Sequence, residues 1–188
     1  MIFVISGPSG VGKSTIIKNL ERQDALYFSI SYTTRPIRID ESEGIDYYYI
    51  SENQFNEMID QEKFVEYEEY GGYMYGTARS ELSKLSSYSA LVLDLEVNGA
   101  TNILKEYANS VGIFIDINNI ELKNRLKSRG HKDGTFIKTR INLADKQRDQ
   151  KGQFEYYILN EEINTTVNEI NDIIYNSISW LNHLLKSY

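Results

Sequence analysis

The sequence predicts an α/β protein built on a parallel sheet, and three observations carry that prediction. The apolar run Ile2-Phe3-Val4-Ile5 leads straight into the glycine-rich segment Gly7-Pro8-Ser9-Gly10-Val11-Gly12-Lys13-Ser14, and helix-forming sequence follows at once. Further buried-type runs recur at Ala90-Leu91-Val92-Leu93-Asp94, Val111-Gly112-Ile113-Phe114-Ile115 and Tyr156-Tyr157-Ile158-Leu159, separated by stretches long enough for crossover helices. The chain has 188 residues, 41% hydrophobic and 25% charged, which suits one full core but not two large domains.

The glycine-rich segment fits G-x-x-x-x-G-K-[ST], a phosphate-binding loop set between a strand and a helix. Its backbone N–H groups, over Ser9, Gly10, Val11, Gly12, Lys13, Ser14 and Thr15, can wrap an anion. Lys13 supplies a point charge for the β- and γ-phosphates, and the Ser14 hydroxyl suits Mg²⁺. The segment therefore points to a nucleoside triphosphate with Mg²⁺.

Further along, Phe28-Ser29-Ile30-Ser31 alternates and reads as a strand, and Asp46 to Ile50 as another. Ser51 with Gln54 three residues later forms a capping box for a helix whose apolar face is Phe55, Met58 and Ile59. Phe64 to Tyr67 and Tyr73 to Gly76 pair as a hairpin across Gly71-Gly72. The run ending at Asp94 puts a carboxylate at the C-terminal edge of a core strand, where open α/β sheets bind ligands. Residues 120–148 are helical and charge-rich, broken between Gly130 and Gly134. Val167, Ile170, Ile174, Ile178 and Leu181 mark a packed amphipathic helix near the end. The pattern is one α/β core with a β-rich insertion near 31–80 and a helical one near 120–145.

A net charge of −7 argues against broad binding to nucleic acid or anionic membranes. The absence of cysteine excludes disulfides, thiolate metal sites and thiol catalysis, and His131 and His183 stand too far apart in sequence for a metal-ligand motif. No apolar run is long enough to span a bilayer, and only a short strand precedes the loop, so a cytoplasmic protein without a signal peptide is expected.

The sequence resembles the guanylate kinases, a phosphate-loop family of nucleoside monophosphate kinases. The resemblance rests on Ser9 to Thr15, Ser31-Tyr32-Thr33-Thr34-Arg35-Pro36-Ile37-Arg38, Glu41, Gly44-Ile45-Asp46-Tyr47, Phe64-Val65-Glu66 and Tyr75-Gly76-Thr77. Leu93 to Gly99, Arg125 to Gly130 and Asn160 complete it. It implies a core over 1–30, 86–122 and 146–188, a GMP-binding domain over 31–85 and a lid over 123–145. It also implies transfer of the γ-phosphate of ATP to GMP or dGMP with Mg²⁺, giving ADP and GDP or dGDP, by a monomer or homodimer.

Residue roles follow from the same resemblance. Arg35 and Arg38, assisted by Tyr47 and Tyr75, hold the GMP phosphate; their planar donor forks fit phosphate oxygens. Glu66 reads guanine N1–H and N2–H₂, with Ser31 and Thr77 nearby. Asp94 either holds the water shell of Mg²⁺ together with Ser14 or helps read GMP, and both roles stay open. Arg129 and Arg140 close onto the ATP phosphates; with Lys13 and Arg38 they form the expected catalytic set. Arg125 is a helper or a structural residue, and Asn160 is expected near adenine. No general base is needed, because the acceptor is already an oxyanion. Departures include Asp40 where glycine is common, Glu96 and Glu155 exchanged with aspartate, Asn98 for glutamine, and Asp116-Ile117-Asn118-Asn119 without the usual prolines. The alternatives are a kinase of another acceptor, such as ribose 1,5-bisphosphate, and a non-catalytic guanylate-kinase-like binding module.

Overall fold

The computed structural model describes residues 1–21, 25–128 and 133–185. Five parallel strands form the main sheet: β1 (Ile2–Ser6), β2 (Leu26–Phe28), β7 (Ala90–Asp94), β8 (Ser110–Asp116) and β9 (Tyr156–Leu159), in the order β2-β7-β1-β8-β9. β1 lies in the middle, and its alternate residues enter two different cores. Phe3 and Ile5 pack with Ile16, Leu122 and Ile170 on one face, while Ile2 and Val4 pack with Leu91, Leu93 and Phe114 on the other. A strand covered on both faces must be apolar throughout, which is why β1, β7 and β8 read as unbroken hydrophobic runs.

Helices α1 (Lys13–Asn19), α5 (Asn119–Ser128), α6 (Gly134–Arg148) and α7 (Ile163–Leu185) contribute buried residues to the first face, and α4 (Val97–Glu106) to the second. Asp133 caps α6 by accepting from the Thr135 N–H at 2.9 Å. The strand order reverses beside β1, so the crevice between the β1 and β7 ends is where a ligand fits.

A second sheet, in the order β4-β3-β6-β5, comes from β3 (Tyr32–Thr33), β4 (Tyr48–Tyr49), β5 (Phe64–Tyr70) and β6 (Tyr73–Ala78). β5 and β6 form the hairpin, turning at Gly71 and Gly72 with φ of 64° and 81°, angles that only glycine adopts freely. Helix α2 (Glu52–Asp60) starts with the full reciprocal Ser51/Gln54 capping box. Its Phe55 stacks on Phe64 of β5 with ring centroids 4.4 Å apart. The short helix α3 (Arg79–Ser83) then returns the chain to the main sheet.

The structure corrects one predicted strand. Of Phe28 to Ser31 only Phe28 is in a strand: β2 ends there in one sheet, 29–31 form the link, and β3 begins at Tyr32 in the other sheet. The chain changes sheets there, and Ile30 donates its N–H to the buried Glu81 carboxylate at 2.9 Å instead of to a ladder. Helices α3 and α4 were not foreseen, and α7 starts at Ile163, ahead of the apolar repeat that announced it.

A buried ion pair closes the top of the core. Arg148, near the end of α6, donates to both oxygens of Asp116 at 2.8 and 2.9 Å, and also to the Ile117 carbonyl at 2.7 Å. Asp116, on β8, also accepts from the Tyr157 hydroxyl of β9 at 2.9 Å. Hydrogen bonding to Asp116 holds the guanidinium above its ordinary pKa. Removing one partner of such a pair leaves a buried charge uncompensated. Arg148→Ala is expected to destabilise the fold by about 3–5 kcal/mol, read as a lowered urea midpoint.

Candidate active site

The phosphate-binding loop is held from beneath. The Val11 carbonyl accepts from the Asn160 side-chain amide at 2.6 Å and from an Arg125 Nη at 2.9 Å. Asn160 is completely buried, and its own amide oxygen accepts from the Thr166 hydroxyl at 3.2 Å. The side chain that was expected near adenine thus sits under the loop, because a loop carbonyl turned inward needs a buried donor. Arg125 is fixed from the other side by Glu121 at 2.9 Å and braces the same carbonyl. Lys13 reaches back along the loop and donates to the Gly7 carbonyl at 2.8 Å. Ser14 and Thr15 stand exposed at the start of α1, and the Ser6 hydroxyl ties the end of β1 to the Leu95 carbonyl at 2.8 Å.

The loop opens onto a cleft of about 190 Å³ between the two sheets. Ser9, Gly10, Gly12, Lys13, Ser14 and Thr15 of the loop line it together with Arg35, Arg38, Tyr47 and Tyr75. Ser31, Glu66, Glu68, Asp94 and Glu96 line it as well. Cationic and acidic side chains thus share one small space. Arg140 has a different setting: its guanidinium lies over the Phe136 ring at 4.8 Å and beside the hairpin tip, where a Cβ on Gly71 would come within 3.2 Å of it. It is not among the residues lining this cleft. Arg129 lies outside the described residues.

The cationic region is organised by Glu41, which the sequence marked as part of a motif without giving it a role. Its carboxylate accepts from Arg35 at 2.9 Å, from the Arg38 backbone N–H at 3.0 Å and from the Tyr49 hydroxyl at 2.8 Å. Burial alone would raise its pKa; these donors outweigh burial and hold the carboxyl at about 2. Arg35 is nearly buried, with its guanidinium 5.6 Å from the Tyr47 ring centre and its Nε without a hydrogen-bond partner. Arg38 stays exposed, 3.7 Å from Glu41.

The acidic region is built on β5 and β6. Glu66 accepts the Thr77 N–H at 3.1 Å, and the Thr77 hydroxyl pairs with that of Ser31 at 3.1 Å. Gly99 of α4 makes room for the carboxyl, since a Cβ there would sit 2.9 Å from Glu66 Cδ. Burial raises the Glu66 carboxyl to about 7; the Thr77 bonds oppose the rise, and the charges of Glu68 and Glu96 add to it. Burial also raises Asp94, against the pull of Lys13. The Tyr47 phenol is pushed up by burial and by Asp94. Glu96 accepts from Gln147 of α6 at 3.2 Å, and Lys18 of α1 forms an ion pair with Asp46. The first ties the start of α4 to the end of α6, and the second ties α1 to the segment between β3 and β4.

A phosphate-binding loop at the end of a parallel sheet, opening onto a cleft that Arg35 and Arg38 also line, defines a phosphotransferase of the nucleoside monophosphate kinase class. The profile described as guanylate kinase matches residues 1–177, and the chain belongs to the guanylate kinase family. It is 41% identical over 178 residues to the guanylate kinase of Mycoplasma genitalium, covering 92% of this chain and 74% of that protein. It is 35% identical over 176 residues to that of Thermotoga maritima, covering 92% and 85%. The crystal structure of guanylate kinase from Anaplasma phagocytophilum superposes with a TM-score of 0.73 at 25% identity, over 94% of this chain and 85% of that one.

The Glu41 pairing has a pH signature. A carboxyl held at about 2 in the fold, against an ordinary value of 4.5, stabilises fully above 4.5 and loses that contribution as pH falls towards 2. Thermal melts from pH 5 to pH 2 are expected to fall more steeply for the wild type than for Glu41→Gln, which has no proton to take up there.

Proposed function

We propose that the protein transfers the γ-phosphate of ATP to GMP, giving ADP and GDP, and accepts dGMP in the same site. The observation that carries this reading is the set of groups lining one cleft: Lys13 and Ser14 of the loop, Arg35 and Arg38 with Tyr47 and Tyr75, and Glu66 bound to Thr77 beside Ser31. A guanine mononucleotide carries the complementary groups, an anion at one end and base N–H donors at the other. Glu66 accepts guanine N1–H and N2–H together, whereas adenine presents an acceptor at N1 and leaves the carboxylate unpaired.

Lys13 leaves the Gly7 carbonyl for the β- and γ-phosphates when ATP arrives, and Arg35 and Arg38 fix the acceptor phosphate. The Ser14 hydroxyl would hold Mg²⁺, with Asp94, which lines the same cleft, on its water shell, and the ion would supply charge neutralisation to the transferring group. Residues 31–85 act as the acceptor domain and 123–145 as the lid. Arg129 and Arg140 swing in with that lid, which also excludes water from the γ-phosphate. The working place of such an enzyme is the cytoplasm, and among the described residues no helix is long and apolar enough to cross a membrane.

A coupled ADP assay with GMP, dGMP, AMP, UMP, CMP and ribose 1,5-bisphosphate checks the acceptor. Strong turnover with GMP and weak turnover with AMP is the expected pattern, and activity confined to another acceptor would reject the guanine site. Lys13→Ala is expected to lower kcat by about 100-fold or more, as loss of a fixed charge on the transferring group does in such sites. An unchanged kcat would refute its role.

Glu66 has to be a carboxylate to meet two N–H donors. Because its pKa in the free protein is about 7, kcat/KM for GMP should rise with pH up to about 7 and then level off. In Glu66→Gln the profile should be low and flat through that window.

A further inference from the structure

The chain crosses between the two sheets twice, and one buried carboxylate holds both crossings. On the way out, Ser29 donates its N–H to the Val92 carbonyl at 3.0 Å, the last bond to the main sheet. The Ser31 carbonyl accepts the Tyr48 N–H at 2.9 Å, the first bond to the second sheet. Ile30 lies between them, and its N–H goes to Glu81 Oε2 at 2.9 Å. Glu81 sits on α3, the helix that brings the chain back after β6. The same oxygen accepts from the Tyr27 hydroxyl of β2 at 3.1 Å. Burial, then the charge and hydrogen bond of Glu81, raise that phenol. Glu81 is 4% exposed and is not among the residues lining the acceptor cleft.

A charge buried with its donors adds little net stability, because desolvation offsets the bonds it makes; what it can fix is geometry. The geometry at stake is that of Ser31, one residue beyond the held N–H. Peptide planes are rigid, so fixing the Ile30 amide leaves few torsions before the Ser31 side chain. Ser31 lines the acceptor cleft, and its hydroxyl pairs at 3.1 Å with that of Thr77, near the end of β6. The two hydroxyls proposed to stand beside guanine thus come from the two crossings, and Glu81 fastens one crossing to the other. We propose that Glu81 is a positioning residue for the acceptor site: by holding the Ile30 N–H it sets the Ser31 hydroxyl, and with it the Ser31–Thr77 pair, for the acceptor base. The proposal rests on GMP being the acceptor.

Steady-state kinetics with GMP and with ATP test this in the wild type, Glu81→Ala, Glu81→Gln and Ser31→Ala. Glu81→Ala should raise KM for GMP by about 3- to 10-fold, the loss of one hydrogen bond, and leave KM for ATP within about twofold. Glu81→Gln keeps an acceptor oxygen for Ile30 and should recover most of the loss. Added to Ser31→Ala, Glu81→Ala should change KM for GMP by less than about twofold, since the hydroxyl it positions is gone. A folded Glu81→Ala protein with KM for GMP unchanged overturns the assignment. So does one whose KM values for GMP and ATP rise together, or whose effect adds in full to that of Ser31→Ala. Should Glu81→Ala not fold, Glu81→Leu fills the space without an acceptor and is read in the same way. Amide hydrogen exchange in the wild type requires no variant: the Ile30 N–H should exchange slowly, and exchange at the rate of an open link overturns the clamp. Wild-type protein that turns over no GMP refutes the guanylate reading, and the Ile30 exchange rate then decides the clamp alone.

Discussion

Opposite charges must be kept apart inside a small, poorly hydrated cleft, and the arrangement of the site depends on how this is done. Left to themselves, Arg35, Arg38 and Lys13 would pair with Glu66, Glu68, Asp94 and Glu96 and fill the space that a nucleotide needs. Glu41 prevents this by engaging Arg35 and the Arg38 backbone from behind. The β5–β6 ladder holds Glu66 through the Thr77 N–H, away from the cations. The cost shows in the raised carboxyls of Glu66, Glu68 and Asp94, whose burial outweighs the charges and donors around them. Perturbed groups gathered in a cleft are a usual mark of a binding site.

The loop that receives the other nucleotide is governed by hydrogen-bond satisfaction. Val11 is fully buried and its carbonyl faces inward, so two donors from distant parts of the chain, Asn160 and Arg125, are needed to hold it. With the inner side of the loop satisfied, its outer side remains open to phosphate. Lys13, resting on the Gly7 carbonyl, keeps its charge within the loop until a stronger acceptor arrives.

Polar contacts as well as packing hold the second sheet and α6 in place. Lys18 pairs with Asp46, Gln147 reaches Glu96, and Arg140 lies against the Gly71 hairpin tip. Polar contacts of this kind exchange readily for contacts to a ligand. Arg140 is the clearest case: the guanidinium that rests on Phe136 is the one proposed to close over the phosphates.

What the sequence determined by itself was everything encoded in adjacent residues. The phosphate-binding loop, the Ser51/Gln54 box, the Gly71-Gly72 turn and the apolar runs of the core strands each rest on local backbone chemistry or on periodicity. That the chain leaves one sheet at Phe28 and enters the other at Tyr32 was hidden, because alternation does not tell a strand from an extended link between sheets. The Arg148–Asp116 pair joins residues 32 apart, and Asn160 meets a carbonyl 149 residues away. Glu41 and Glu68 are two among 27 acidic residues, and nothing local separates them from solvated ones. Only the tertiary structure decided these, since burial and partner geometry arise when distant segments meet, and they determine whether a carboxylate is a surface charge, a clamp on an arginine or a reader of a base.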